Sequence, residues 1–217
     1  MRRRESFLAG CLVTGLMLAL MGCGSNVSQS QTESRSATST PHEGHSTMAL
    51  LRVINEQGQL SEPVELPKLI LTPEEWKQRL TPEQFKILRS HGTEAPFCGG
   101  LLNNKDDGLY VCAGCSLPLF ETVTKFDSGT GWPSFYKPVA KENITEIIDR
   151  SYGMIRTETR CARCDGHLGH VFEDGPRPTG LRYCMNSEAL RFVPRDRIAT
   201  LAEPIPDVPA GESSPAI

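Results

Sequence analysis

The chain has 217 residues, a formal net charge of −3, 38% hydrophobic residues and 23% charged residues. This length allows one ordinary domain with extensions, and the modest hydrophobic share indicates that part of the chain stays outside a packed core. Basic residues are not concentrated beyond the extreme N-terminus, which argues against a nucleic-acid partner.

The first 22 residues have the pattern of an export signal. Residues 2–4 are arginines, and an uncharged, mostly apolar run follows over residues 7–21. That run is too short for a comfortable membrane span but suits a signal peptide. Residues 20–23, Leu-Met-Gly-Cys, resemble a bacterial lipobox, in which the cysteine is lipidated; an ordinary secretory signal is the alternative. We predict an exported, membrane-anchored bacterial lipoprotein that faces the periplasm or the cell exterior, with lipid on Cys23.

A polar segment follows the signal. Residues 24–47 are rich in Ser, Thr and Gln and offer almost nothing to bury, so they cannot offset the entropy of ordering. We assign residues 23–66 to the lipidated cysteine and a flexible tether, although residues 48–67 are ambiguous and have room for a short strand. His42 and His45 are interpreted as part of a solvated linker and not as a metal site.

Two short helices are predicted next. Residues 72–75 (Thr-Pro-Glu-Glu) form a capping box with proline at the first helical position, and residues 81–84 (Thr-Pro-Glu-Gln) repeat it. The second helix should bury Phe85 and Leu88 and end near Gly92.

From residue 109 onward the pattern is that of short strands separated by Gly, Pro and Asp clusters. The domain is therefore predicted to be mostly β over residues 67–200, with a loose tail over residues 201–217. The predicted strands cover residues 109–111, 144–148, 154–159, 171–172 and 181–186.

Four of the eight cysteines form two pairs with two-residue spacing. Cys112 and Cys115 make the first pair, and Cys161 and Cys164 make the second. Two such turns complete a tetrahedral shell of four thiolates, which is typical of a structural zinc site. Disulfides within each pair would cross-link almost nothing, and a redox-active pair usually opens a helix, unlike the strand-like flanks here. We predict a structural Zn²⁺ site.

Cys184 is the candidate nucleophile. On a strand, Tyr183 and Met185 would face the core, whereas Arg182, Cys184 and Asn186 would share the other face. A neighbouring arginine favours the reactive thiolate. An inert buried thiol is the alternative, and the residues alone leave the two nearly balanced.

Two further features have possible roles in chemistry. His167 and His170 directly follow the second cysteine pair and are suited to proton transfer or to pairing with a thiolate; core or surface histidines are the alternative. Residues 129–135 are Gly-Thr-Gly-Trp-Pro-Ser-Phe, and the two glycines widen the range of backbone conformations. The Trp132 indole can form an apolar wall of a site or simply pack in the core.

Taken together, these motifs resemble the methionine sulfoxide reductase B family, the peptide-methionine (R)-S-oxide reductases. The similarity spans about residues 71–194, with the motifs in the same order. It lies in residues 131–135 (Gly-Trp-Pro-Ser-Phe), both cysteine pairs, residues 161–172 (Cys-Ala-Arg-Cys-Asp-Gly-His-Leu-Gly-His-Val-Phe), residues 182–187 (Arg-Tyr-Cys-Met-Asn-Ser) and, in the N-terminal part, residues 81–84 and 91–97.

The resemblance implies a fold, a site and a reaction. The fold would be mostly β, with two small antiparallel sheets and short N-terminal helices, stapled by a four-cysteine zinc site. Attack by the catalytic thiolate on the sulfoxide sulfur of methionine-R-sulfoxide in oxidised proteins would yield a sulfenic acid. The implied catalytic set is Cys184, His167, His170, Asn186 and Arg182, and the implied substrate-binding set is Trp132, Phe172 and Asp174, with Asp174 near the histidines.

One position departs from the family pattern. Many members carry a resolving cysteine just before Gly-Trp-Pro-Ser-Phe, where this chain has Thr130. The sulfenic acid would then be resolved by Cys98, or by an external thiol such as a thioredoxin-like reductant. Two other functions are compatible with fewer of the motifs: a zinc-ribbon-like binding module and a membrane-tethered metal-handling protein. A monomer is the default expectation.

Overall fold

Strands dominate residues 47–202, the part of the chain that the computed structural model describes. The predicted signal, Cys23, the tether up to residue 46 and the tail from residue 203 lie outside the described residues. In chain order the elements are β1 (Met48–Leu51), β2 (Val64–Pro67), α1 (Pro73–Arg79), α2 (Pro82–Ser90), β3 (Gly108–Cys112), β4 (Pro118–Glu121), β5 (Lys125–Phe126), β6 (Ser134–Phe135), β7 (Ile144–Asp149), β8 (Arg156–Cys161), β9 (His167–Phe172), β10 (Arg182–Met185) and β11 (Leu190–Pro194), with short 3₁₀ turns between several of them.

Both helices begin at the predicted capping boxes. The side chains of Thr72 and Thr81 accept a hydrogen bond from the backbone nitrogen of the third helical residue. In return, the backbone nitrogen of each threonine donates to the side-chain oxygen of that residue. Helix α2 ends at His91, which adopts the left-handed conformation (φ 52°) just before Gly92. Leu88 is buried as predicted, whereas Phe85 is only half-buried. Among residues 47–202, no helix is long and apolar enough to cross a membrane.

Residues 47–202 contain three antiparallel sheets. The six-stranded sheet has the order β5-β6-β10-β9-β8-β7, and the three-stranded sheet has the order β11-β3-β4. This arrangement confirms the mostly β, antiparallel fold and adds a third sheet, β1–β2. Leu51 at the end of β1 is fully buried and belongs to the same core cluster as Leu88.

Two strands differ in extent from the prediction. The strand placed at residues 154–159 is β8, shifted two residues towards the second cysteine pair, and the strand placed at residues 171–172 is the C-terminal end of the longer β9. A register shift beside Thr159 separates the two halves of the β8–β9 ladder. Alternation was hidden in β9 because glycine interrupts the pattern of side chains.

An aromatic cluster joins the two larger sheets. The Phe120 and Phe135 rings stack with centroids 4.5 Å apart, and Tyr110 meets Phe135 edge-on at 5.0 Å. All three side chains are fully buried. This core fixes β6 and, through its pairing with β6, the strand β10 that carries Cys184.

Candidate active site and metal centre

Cys184 lies in the interior of the six-stranded sheet. Strand β10 pairs with β6 on one side and β9 on the other, so Cys184 stands opposite Ser134 and His170. Tyr183 and Met185 are buried in the core, as the alternation predicted. The thiol of Cys184 is half-buried and faces a cleft, where a substrate can reach it.

Burial dominates the electrostatics of this thiol. Desolvation raises the pKa of Cys184 above its ordinary value, while the Thr130 hydroxyl and the Arg182 guanidinium lower it by less. The neighbouring arginine therefore lowers the pKa of Cys184, as predicted, but burial raises that pKa by more. The resting group is a thiol, and formation of the thiolate requires a base.

A chain of hydroxyl groups starts at the Cys184 sulfur. Thr130 Oγ1 lies 3.9 Å from Sγ, and Ser128 Oγ lies 2.8 Å from both Thr130 Oγ1 and Ser134 Oγ. Sequence reasoning treated Thr130 only as a missing cysteine and overlooked the two serines. Hydroxyls at these positions can donate hydrogen bonds to a thiolate or a sulfenate, although they cannot form a disulfide.

Arg182 is held by Asp174 and not aimed freely at the thiol. Its Nε and one terminal nitrogen each donate to the Asp174 carboxylate at 2.8 Å, and its guanidinium carbon lies 4.4 Å from the centroid of the Phe172 ring. Asp174 also lines a depression together with Thr130. The structure therefore places the Asp174 carboxylate on the Arg182 guanidinium, and the expectation that Asp174 lies near the histidines stays a prediction.

A cleft of about 140 Å³ opens beside Cys184 and gathers most of the predicted site. His170, Asn186, Trp132 and Phe172 line it together with Cys184. Thr93 and Arg156 also line the cleft and were not among the predicted site residues. They come from the loop after α2 and from the start of β8, and of the two only Thr93 lies in a segment that carried the family resemblance.

His170 is oriented by a carboxylate at the end of β7, two strands away in the sheet. Its Nε2 lies 2.9 Å from Asp149 Oδ2, and Arg156 donates to the same carboxylate. Hydrogen bonds from Ser151, with a further one from His170, hold the pKa of Asp149 well below its usual range. This contact leaves Nδ1 as the ring nitrogen of His170 for other partners.

His167 lies next to His170 but belongs to a neighbouring, larger cleft, with the two ring centroids 5.5 Å apart. Its Nδ1 lies 2.6 Å from Glu158 Oε1, and its Nε2 is buried without a hydrogen-bond partner. Burial lowers the pKa of His167, so this imidazole is neutral near pH 7. Arg160 and His91 contact the same glutamate, at 2.6 and 2.9 Å.

The two cysteine pairs converge on one point in the core. The four sulfurs lie within 4.8 Å of one another, and Cys112–Cys164 and Cys115–Cys161 are separated by 3.6 and 3.4 Å. These separations are far longer than a disulfide bond of about 2.05 Å but near the roughly 3.8 Å edge of a tetrahedron with metal–sulfur bonds of about 2.3 Å. Because all four thiols are buried, the donor set fits a soft divalent metal.

Comparison with known proteins agrees with this geometry. The model of the SelR domain family matches residues 80–194. The peptide methionine sulfoxide reductase MsrB of Caulobacter vibrioides is 61% identical over 120 residues, which cover 55% of this chain and 76% of the relative. Proteins with the same description from Pseudomonas fluorescens and Agrobacterium fabrum are 57% and 56% identical over 131 and 128 residues, covering 60% and 59% of this chain and 100% and 95% of the relatives.

The chain belongs to the MsrB family of peptide methionine sulfoxide reductases. It is accordingly an oxidoreductase. The matched residues include α2, the whole six-stranded sheet, both cysteine pairs and the Cys184 cleft. The family assignment from the motifs is thus confirmed.

Glu94 is a residue of the MsrB site that sequence reasoning did not single out. Its carboxylate accepts hydrogen bonds from the backbone nitrogens of Ser187 and Glu188, directly after β10. Its backbone donates to Asn186 Oδ1 at 3.1 Å and accepts from Trp132 Nε1 at 3.2 Å. One residue therefore positions both the amide and the indole of the cleft.

The segment carrying Cys98 is hydrogen-bonded to the turn that precedes Trp132. Phe97 donates its backbone hydrogen bond to the Gly131 carbonyl at 2.8 Å, and Gly131 adjoins Thr130. Cys98 itself is exposed, and both it and Cys184 are free thiols. The role of Cys98 as the resolving residue stays a prediction.

We expect Glu158→Gln to weaken the decrease in the free energy of unfolding that accompanies acidification. Burial raises the pKa of Glu158, but Arg160 and His167 outweigh it and lower the value from 4.5 to about 2. Because the folded-state value lies below the unfolded one, the carboxylate stabilises the fold above pH 4.5 and loses this contribution as the pH falls towards 2. Denaturant midpoints should show the variant to be less stable at neutral pH, by about 1–3 kcal/mol.

The matched control is Glu56→Gln, at an exposed position. The free energy of unfolding of this variant should depend on pH over the same interval as steeply as that of the wild type. A Glu158→Gln profile as steep as that of the wild type would contradict the assignment.

Proposed function

We propose that this protein reduces methionine-R-sulfoxide in oxidised proteins to methionine, with Cys184 as the attacking group. The observation that carries the proposal is the single cleft in which Cys184 meets His170, Asn186 and Trp132. Membership of the MsrB family supports the substrate, because the relatives are described as peptide methionine sulfoxide reductases.

The cleft offers different chemistry on its two sides. Trp132 and Phe172 provide apolar surfaces for the methyl and methylene groups of the substrate. His170 and Asn186 provide hydrogen-bond donors for the sulfoxide oxygen. Because the sulfur of a sulfoxide is a stereocentre, fixing its methyl group and its oxygen on opposite walls selects one epimer.

The reaction begins with proton transfer from the Cys184 thiol to His170. The thiolate then attacks the sulfoxide sulfur, and the imidazolium, stabilised by Asp149, returns the proton to the oxygen as the sulfur–oxygen bond breaks. The sulfoxide sulfur gains two electrons and Cys184 loses two. The oxygen leaves with that proton as hydroxide, and the methionine sulfur stays bonded to Cys184 Sγ as a sulfonium. Hydroxide then attacks Cys184 Sγ, and the bond between the two sulfurs breaks with its electron pair on the methionine sulfur. Methionine is released and Cys184 becomes a sulfenic acid.

A second thiol must then reduce the sulfenic acid. Its sulfur forms a disulfide with Cys184 and the oxygen departs as water. Cys98 supplies this thiol, since its segment is hydrogen-bonded to Gly131 at the edge of the cleft. A thioredoxin-like protein then reduces the disulfide through exchange; a direct external thiol is the alternative route.

We expect Cys98→Ser to impair recycling but not the first chemical step. An intramolecular thiol competes at an effective concentration far above that of a dilute reductant, so thioredoxin-driven turnover should fall roughly 10- to 100-fold. One methionine per chain should still form in a single turnover. Steady-state and single-turnover assays, with mass spectrometry for the Cys98–Cys184 disulfide, measure both quantities.

The variant Cys98→Ser/Thr130→Cys is the matched rescue, because it places a sulfur beside Cys184, where Thr130 Oγ1 now lies 3.9 Å away. It should restore part of the turnover. Unimpaired thioredoxin-driven cycling in Cys98→Ser would exclude Cys98 as the resolving residue.

The four clustered cysteines are proposed to hold a structural Zn²⁺ ion. Cys112 ends β3 and Cys161 ends β8, and their partners Cys115 and Cys164 lie in the turns that follow, so the ion would join the two larger sheets. When bound, zinc supplies cross-linking and no open coordination position for substrate, because four thiolates complete its shell.

Export and anchoring are proposed from the N-terminal pattern alone. The charged start, the apolar run and the Leu-Met-Gly-Cys sequence support a lipid anchor on Cys23, which would hold the enzyme at a membrane surface outside the cytoplasm. Mass spectrometry of the membrane-associated protein should find a diacylglyceryl group on Cys23. Release of Cys23→Ser into the soluble fraction is expected, and retention of that variant in the membrane would contradict the anchor.

An epimer-resolved assay tests the proposed reaction. Incubation with a peptide that contains both sulfoxide epimers should consume the R form and leave the S form. Equal consumption of the two epimers would contradict the proposed binding mode, and consumption of neither would contradict the proposed function.

A further inference from the structure

The hairpin formed by β7 and β8 carries a cluster of exposed apolar side chains. Ile148, Tyr152 and Ile155 are 63%, 88% and 74% exposed. We refer to these three residues as the docking tip. Single exposed apolar residues are common, but a cluster on one hairpin marks an interaction surface.

The docking tip is continuous with the active site. Ile148 and Tyr152 line a cleft of about 590 Å³ whose inner end is formed by His170 and Arg156. His170 and Arg156 also line the smaller cleft beside Cys184. A chain that leaves the Cys184 cleft on this side therefore runs directly onto the hairpin.

Most charges inside the larger cleft are paired within the protein. Asp149 pairs with Arg156, and Glu158 pairs with Arg160 at 2.6 Å, whereas Arg150 has no ion pair among the described residues. Largely paired charges beneath an exposed apolar rim favour an apolar occupant over a strongly basic one.

The two clefts differ in size and therefore accommodate different parts of a substrate. The Cys184 cleft, at about 140 Å³, has room for the side chain that reacts and not for neighbouring residues. Methionine is usually buried among other apolar residues, so the sequence on either side of an oxidised methionine is frequently apolar. Those flanking residues need an apolar surface next to the reacting centre.

We propose that the docking tip binds apolar residues that flank the oxidised methionine of a polypeptide substrate. This proposal rests on the proposed function and adds a substrate-binding surface to it. Ile148 and Ile155 contact the flanking side chains, and Tyr152, at the turn of the hairpin, covers them.

The test compares three substrates with one triple variant, Ile148→Thr/Tyr152→Asn/Ile155→Thr. Threonine keeps β-branching on the hairpin, and asparagine tolerates the positive φ of 54° at Tyr152. The substrates are an N-acetylated methionine-R-sulfoxide, a peptide with leucine and valine around the sulfoxide, and a peptide with serine and glycine there. Full-length protein is used throughout.

The variant should lose about tenfold in kcat/KM on the apolar peptide, the equivalent of one or two buried methylene groups. It should stay within about twofold of wild type on the other two substrates. Ile70→Thr/Val123→Thr is the matched control, since both side chains are about equally exposed, at 67% and 66%, outside the two clefts. This control should leave all three substrates unchanged.

Other results overturn the proposal. An equal loss on all three substrates would assign the hairpin to support of the catalytic residues, and no loss on the apolar peptide would leave the tip without this role. A wild-type dimer that the triple variant converts to a monomer would assign the tip to self-association. Failure of the wild type on every substrate would instead contradict the proposed function itself.

Discussion

Cys184→Ser is expected to abolish reduction of methionine-R-sulfoxide, with a loss on the order of 10³-fold or more in single-turnover rate. A serine hydroxyl at this position is a far weaker nucleophile, because its pKa lies well above that of a thiol. It also cannot form a sulfenic acid, which is the product that carries the sulfoxide oxygen away. Chromatographic separation of the two epimers and of methionine measures the loss.

The substitution should leave the fold intact. Oxygen is smaller than sulfur, and Cys184 is only half-buried, opposite Ser134 and His170 in a regular ladder. The melting temperature should therefore stay close to that of the wild type. Cys98→Ser provides the same atomic change at the other free cysteine outside the metal cluster within residues 47–202, and it should retain the single turnover. An undiminished rate in Cys184→Ser would remove Cys184 from the mechanism.

Cys161→Ser is expected to release the metal and destabilise the whole domain. The four sulfurs lie within 4.8 Å of one another in the core, so the loss of one thiolate leaves three buried thiols without a complete shell. Structural zinc contributes about 10–16 kcal/mol of binding free energy in small domains, and only part of this must be lost to lower the melting temperature by 10 °C or more. Metal analysis and calorimetry measure both effects.

The effect of Cys161→Ser on catalysis should differ from its effect on metal binding. Because Cys161 lies across the sheet from the Cys184 cleft and supplies no group to it, any Cys161→Ser protein that remains folded should retain reductase chemistry at low temperature. Cys98→Ser, at an exposed position, should keep full metal content and full thermal stability. One zinc per chain with an unchanged melting temperature in Cys161→Ser would contradict the predicted ligand set.

Prediction succeeded where chemistry is local in the chain. The two-residue spacing of the cysteine pairs restricts which ligands one ion can collect, and both helix starts followed from capping boxes that satisfy their own backbone donors. The alternation around Cys184 placed Tyr183 and Met185 in the core. Each of these signals lies within a few residues of the feature that it predicts.

Prediction stopped where strands distant in sequence meet. Asp149 on β7 and Glu158 on β8 contact the two histidines of β9, and Glu94 reaches the end of β10 from a loop after α2. The sequence gives no signal for these pairings, because they form only when distant segments pack together. Asp174, just beyond the end of β9, reaches Arg182 of β10 in the same way.

The sequence by itself determined the family and the antiparallel β class, and it predicted the metal-ligand set and the nucleophile, because these depend on residue type and short spacing. The tertiary structure alone decided which histidine shares the cleft with Cys184, which carboxylate holds it, and that burial outweighs Arg182 in setting the pKa of the thiol. Solvent exclusion and cross-strand distance are collective properties of the packed sheets. They arise only when residues far apart in the chain have come into contact.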